Sequence, residues 1–165
     1  MIRPELFEGQ VRIPSGCAIS AVISREGRLI SGQTIVDSMR PMHERSNGLG
    51  GGFAGYGIYP EYKDFFALHI FYDTDEARAA VESHLRAVLE IVRAENIPTR
   101  KHPAITAEPF IWRYFVAPLR SVLHSCQQNE EEFIAQLAMR VNTSYPGAYV
   151  FSSGKNMGVF KAVGY

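Results

Sequence analysis

No stretch of this chain approaches the ~18 consecutive apolar residues that a bilayer-spanning helix needs. The opening segment, residues 1–16, carries charges of both signs and no apolar core, so it does not read as a secretory signal. An excess of one charge is missing too: 17 basic and 17 acidic side chains cancel to a formal net charge of zero. No electrostatic footprint for nucleic acid or an anionic membrane follows from that balance. Cysteine is scarce. Cys17 and Cys126 are too few to staple 165 residues, and reduced thiols in a cytoplasmic protein are the simpler account. Asn142-Thr143-Ser144 matches a glycosylation sequon, but without an export signal it carries no weight. Repeats, low-complexity tracts and interdomain linkers are also absent. With 46% hydrophobic and 21% charged residues, the composition is globular and the length suits one domain or most of one.

What is present is a mixture of strand-like and helix-like patterns. The apolar, β-prone run from Cys17 to Ser24 predicts a buried strand, with Gly27 supplying a turn. A helix is expected from Gln33 to about Arg45, with Ile35, Met39 and Met42 on one stripe. Pro41 should kink or shorten it, because proline removes an amide donor and crowds the preceding turn. Asn47–Gly52 reads as a glycine-rich loop. Phe53–Tyr59 and Asp64–Tyr72 read as paired strands joined by a turn at Pro60. Acids at Asp73, Asp75 and Glu76 open a helix whose stripe (Ala77, Val81, Leu85, Val88, Val92) runs to about Asn96, where Pro98 stops it.

Residues 97–103 then read as extended, and Phe110–Ala117 as a strand between Pro109 and Pro118. A helix over Glu130–Asn142 and strands at 148–152 and 157–163 complete the pattern, with Ser153-Gly154-Lys155-Asn156 as the turn between them. Neighbouring hairpin-like strands with helices grouped between them predict an α+β fold, not a doubly wound parallel sheet. The last strand signal abuts Tyr165, which leads us to expect further architecture beyond these residues.

Several motifs invite chemistry, each beside a plainer reading. Gly50-Gly51-Gly52-Phe53-Ala54-Gly55 fits G-x-G-x-x-G by letter. A dinucleotide site needs a strand before that motif and a helix after it, and here the order is reversed. The plainer reading is a crossover whose glycines permit close backbone approach; the sharper one has the loop bring backbone amides beside a small substrate. The histidines at 43, 69, 84, 102 and 124 are scattered, and His124-Ser125-Cys126 is the single tight His/Cys pair, so no zinc-type ligand spacing emerges. His43 stands out because it precedes the Arg45–Gly52 segment. Arg113, between Trp112 and Tyr114, is either a bidentate donor to a carboxylate or a surface residue with its stem packed. The charged face of residues 75–95 reads as a solvated helix surface. Cys126, among polar residues, has no assigned role.

Cys17 has two readings. A cysteine in an apolar strand is usually core. The small Ser15-Gly16 pair before it, however, resembles a cleavable junction, and cleavage there places an α-amine and a thiol on one residue. An α-amine titrates near pH 8 and can serve as the base for its own nucleophile.

Two segments carry a family resemblance. Cys17-Ala18-Ile19-Ser20-Ala21-Val22-Ile23 and Met42-His43-Glu44-Arg45-Ser46-Asn47-Gly48-Leu49-Gly50-Gly51-Gly52-Phe53-Ala54-Gly55-Tyr56-Gly57-Ile58-Tyr59-Pro60 resemble the start of a class II glutamine amidotransferase domain, in the stand-alone type related to glutamate synthase. Ser153-Gly154-Lys155-Asn156-Met157-Gly158-Val159-Phe160-Lys161 continues the likeness. It implies an N-terminal-nucleophile hydrolase, with αββα layers that are incomplete in this length.

It implies a leader at 1–16 and the N-terminal part of a glutaminase domain at 17–165, with Cys17 as nucleophile and Arg45, Asn47 and Gly48 contacting substrate. Glutamine would be the substrate and a glutamate synthase-type subunit the partner. The flavin and iron–sulfur groups would belong to that partner, so no cofactor and no metal is expected in this chain.

The family's His-Arg-Gly motif is altered here to His43-Glu44-Arg45-Ser46. In the family, a later His-x-Arg-Tyr-Pro segment holds the substrate carboxylate and a still later Asn-Gly pair builds the oxyanion hole; neither occurs after Lys161. Loss of one oxyanion donor costs about a hundredfold or more in rate. The expectation is therefore a weak glutaminase, or a non-catalytic homologue acting as a binding or scaffold module.

Overall fold

The first helix, α1 (Gly32–Met39), begins where Ser31 Oγ accepts the amide of Gln33 at 3.2 Å. It closes at Met39 and tightens into a 3-10 turn over Arg40–Arg45, the shortening that Pro41 demands. These features come from a computed structural model that describes residues 16–45, 50–101, 103 and 107–162, apart from the side chains of 43, 44 and 162. The chain divides into two compact units: residues before Ala54 and after Phe160 form one, and Ala54–Phe160 form the other.

In the first unit, the Cys17-led run is not the expected strand. It has no regular secondary structure, and Ile19 and Ile23 are 92% and 86% exposed. A β-prone run becomes a strand only when a neighbour supplies the other half of the ladder. Among the described residues no strand pairs with it. Gly27 does make the expected turn: its φ is +69°, its amide reaches Ser24 O at 3.3 Å, and Arg28 N reaches Ser24 Oγ at 2.8 Å.

Strand β1 (Gly51–Tyr56) pairs with β6 (Met157–Ala162) in a two-stranded sheet. Between them the chain builds a β-α-β-β-α-α-β sandwich: β2 (Phe66–Tyr72), α2 (Asp75–Val88), β3 (Leu89–Asn96), β4 (Phe110–Pro118), α3 (Arg120–Cys126), α4 (Glu130–Ser144) and β5 (Ala148–Lys155). The strand order is β3-β4-β2-β5 and every pairing is antiparallel, an arrangement of split β-α-β units. The architecture is α+β, as the pattern of elements predicted. No helix among the described residues is long and apolar enough to cross a membrane.

Strand alternation decides the two faces. Phe66, Leu68, Ile70 and Tyr72 of β2 join Tyr114, Val116, Ala148 and Val150 on one face, against Val81 and Leu85 of α2 and Ile134, Leu137 and Val141 of α4. Thr74 Oγ1 and Asn129 Oδ1 cap α2 and α4, accepting from Ala77 N at 3.2 Å and Glu132 N at 2.8 Å. Both amide atoms of Asn142 are spent on Val150 of β5, at 3.1 and 2.6 Å, so this half-buried sequon asparagine fastens α4 to the sheet.

Three further expectations give way. β1 and β2 do not pair; β2 lies between β4 and β5, and Pro60 opens a 3-10 turn over Pro60–Tyr62. The helix expected to reach Asn96 ends at Val88, and Leu89–Asn96 becomes an edge strand on β4. The β-branched Ile91 and Val92 fit either period, and the ladder with β4 decides between them. Helix α3 was not signalled, and Cys126 lies at its end, three residues before the Asn129 cap of α4.

Leu85 is fully buried at the centre of this core. Leu85→Ala is expected to lower unfolding stability by about 2–5 kcal/mol. Urea titration followed through Trp112, the one tryptophan of the chain, checks this.

Candidate functional site

Cys17 is an exposed, free thiol. Two contacts lay its segment along the helical stretch that follows. Ser38 Oγ of α1 donates to Ser20 Oγ at 2.7 Å. At the other end, the backbone of Gly16 comes so close to Arg45 that a Cβ there would stand 2.8 Å from the Arg45 carbonyl oxygen. Residue 16 thus lies against residue 45 and residue 20 against residue 38, so the Cys17 segment runs antiparallel to Gly32–Arg45. Two of the four predicted site residues, Cys17 and Arg45, are thereby neighbours in the fold at the level of their backbones. Asn47 and Gly48 lie outside the described residues. The groove around the Gly27 turn is lined by Val22–Ser24, Arg25–Glu26 and Arg28–Ile30, and excludes Cys17.

The second unit holds a polar constellation that sequence reading did not assemble. On the sheet face opposite the helices, ladder partners place Glu95, Arg113, His69 and Ser152 in one row across all four strands. Arg113 Nε donates to Glu95 Oε1 at 2.8 Å, with Nη2 on the same oxygen, and Arg93 Nε reaches Glu95 Oε2 at 2.9 Å. Tyr59 lies over the row: its hydroxyl is 2.7 Å from His69 Nε2 and accepts from Arg113 Nη1 at 3.3 Å. Ser152 Oγ accepts Val159 N at 2.9 Å, fixing β6 to the same face.

His69 is 1% exposed and its Nδ1 has no partner among the described residues. Burial, reinforced by the Arg113 charge, pushes its pKa down from 6.5 to about 4, so the imidazole is neutral at pH 7. The Arg113 guanidinium holds the Glu95 carboxyl below the usual carboxylate range. The polar atoms of this row are spent largely on one another, which gives it the chemistry of a clasp. The available signal was alternation: Arg113 and Tyr59 were each in view, but only ladder register brings them to His69.

The remaining motifs resolve more simply. β1 begins at Gly51, so a strand and not a helix follows the glycines, and the dinucleotide reading falls. Among the described residues no group of three or more metal-ligating side chains forms. His84 stacks on Tyr145 with ring centroids 5.5 Å apart, His124 is exposed on α3, and His102 and the His43 side chain lie outside the described residues. Cys126 Sγ donates to Leu123 O at 3.5 Å within its own helix. Arg113 is ion-paired with its stem packed, closer to the structural alternative than to a carboxylate receptor.

An uncharacterized protein of Archaeoglobus fulgidus is 45% identical to this chain over 151 residues, covering 90% of the chain and 40% of that protein. The chain therefore spans less than half the length of the curated relative it matches. No known family's sequence model matches it, and no solved structure matches it.

Two predictions follow from this geometry. Gly16→Ala places a methyl group against a backbone oxygen, so it should displace the segment and speed amide hydrogen exchange over residues 17–24, read by mass spectrometry. Because the folded pKa of His69 is depressed, its stabilisation is complete above pH 6.5 and is lost as the pH falls toward about 4. The loss amounts to about 3 kcal/mol at most. Urea midpoints measured across that window should fall with pH, and His69→Gln should flatten this component.

Proposed function

We propose that this chain is the front portion of a class II glutamine amidotransferase domain of the N-terminal-nucleophile type. It releases ammonia from glutamine for a glutamate synthase-type partner subunit. The αββα layering of such hydrolases and a cytoplasmic location belong to the same proposal. The observation that carries it is the approach of Gly16 to the Arg45 carbonyl, together with the Ser20–Ser38 bond. These contacts lay the stretch around Cys17 beside the helical stretch that ends at Arg45, and the Cys17 thiol is exposed, which supports the reading.

In this reading, hydrolysis of the Gly16–Cys17 bond leaves a carboxylate on Gly16 and frees the α-amine of Cys17. The amine takes the thiol proton, and sulfur attacks the side-chain amide carbon of glutamine. The tetrahedral intermediate collapses as the ammonium returns that proton to the leaving nitrogen. Ammonia departs and a glutamyl thioester remains. Water then cleaves the thioester, giving glutamate and restoring the thiol. Arg45, Asn47 and Gly48 hold the substrate. No cofactor of this chain takes part, and redox chemistry resides in the partner. The reading assigns these residues no carboxylate clamp and no oxyanion hole, so little turnover is expected of them alone.

The test combines mass and reactivity. Intact mass should reveal a species beginning at Cys17. A glutamine analogue with an electrophilic side-chain carbon should label Cys17 and spare Cys126, which is exposed as well. Cys17→Ser should lower glutamate release by on the order of a thousandfold. A leader that stays attached, with equal labelling of both thiols, sinks the glutaminase reading and favours a scaffold for the synthase subunit.

A further inference from the structure

We infer that Ala54–Phe160 is a self-contained folding module inserted into the chain of the other unit, closed at its neck by Asn156 and accessory to the chemistry at Cys17. The last clause rests on the glutaminase reading; the rest does not. The first unit is discontinuous in sequence, whereas the second is one uninterrupted stretch. Every buried hydrophobic side chain among the described residues lies between Phe66 and Val150, so the second unit has a core of its own.

The chain enters and leaves the module side by side. Asn156 O accepts Gly57 N at 2.8 Å, and Asn156 Oδ1 accepts Tyr59 N at 2.8 Å. Asn156 N donates to Phe65 O at 3.3 Å, with φ at +49°, a conformation asparagine tolerates better than most residues. One residue thus ties the incoming strand to the outgoing one. Adjacent ends are what allow one domain to be spliced into another without disturbing its host.

The residues that the proposed chemistry uses, Cys17, Arg45, Asn47 and Gly48, all lie outside the module. The archaeal relative carries the module as well, since a match of 151 residues cannot be made without most of it.

Urea titration of the full chain, read by Trp112 fluorescence, tests the inference, because Trp112 lies in the module and is packed under Arg78 at 4.5 Å. Val36→Pro breaks α1 in the first unit. It should move the Trp112 midpoint by less than about 0.2 M, whereas Leu85→Ala should lower it by about 1 M or more. A larger shift with Val36→Pro overturns the inference, and an unfolded first unit is no escape, since independence is the claim.

Labelling of Cys17 by the electrophilic glutamine analogue tests the accessory clause. Its rate should stay within about twofold in Leu85→Ala, and a larger drop overturns that clause. Failure to label Cys17 in the unaltered chain overturns the glutaminase reading and leaves the module standing.

Discussion

One hydrogen bond governs the second face of the four-stranded sheet: the Tyr59 hydroxyl on Nε2 of buried His69. An imidazole at that depth is a liability. No described residue serves its Nδ1, a cost of about 1–3 kcal/mol, and protonating it beside Arg113 would be worse. Tyr59 meets half of the requirement and draws Arg113 into the same contact. Arg113 is then held by Glu95 on one side and lies over the Tyr59 ring at 4.9 Å on the other. The charged pair is thus partly shielded and fully partnered, the condition under which burying it is tolerable.

The bulge in β5 makes that row continuous. Ile70 faces Val150, but His69 faces Ser152, so Phe151 is an extra residue on β5. Phe151 stacks on Phe71 with ring centroids 4.2 Å apart. Without the extra residue, Phe151 would stand opposite His69 and the Ser152 hydroxyl would lose its place under Val159. Gly158 completes the fit: a Cβ there would meet Tyr59 Oη and His69 Cε1 at 3.2 and 3.3 Å. A register shift on one strand and a missing side chain on another therefore serve the same contact.

The Cys17 segment obeys a different logic. It has little apolar burial and is held by a serine pair and a glycine contact. Such polar, short-range fastenings are worth about 1 kcal/mol each. They orient the segment without hiding it, and the Cys17 thiol is left exposed.

The helix starts near Gln33, Asp75 and Glu130, the shortening at Pro41, the turn at Gly27 and the strand over Phe110–Ala117 were all legible in the sequence. Each depends on local forces: a side-chain oxygen beside free amides, a missing donor, a backbone free to take positive φ. The end of α2 was not legible, because Leu89–Asn96 satisfies both periods and has no glycine or proline before it. The pairing partner of β1, the unpaired state of Cys17–Ser24 and the row from Glu95 to Ser152 were likewise invisible. By itself the sequence determined which segments favour helix or strand and which residues can do chemistry. Tertiary structure alone decided which strands meet, in what register, and so which of those residues touch, because ladder bonds join groups far apart in the chain and no local preference encodes them.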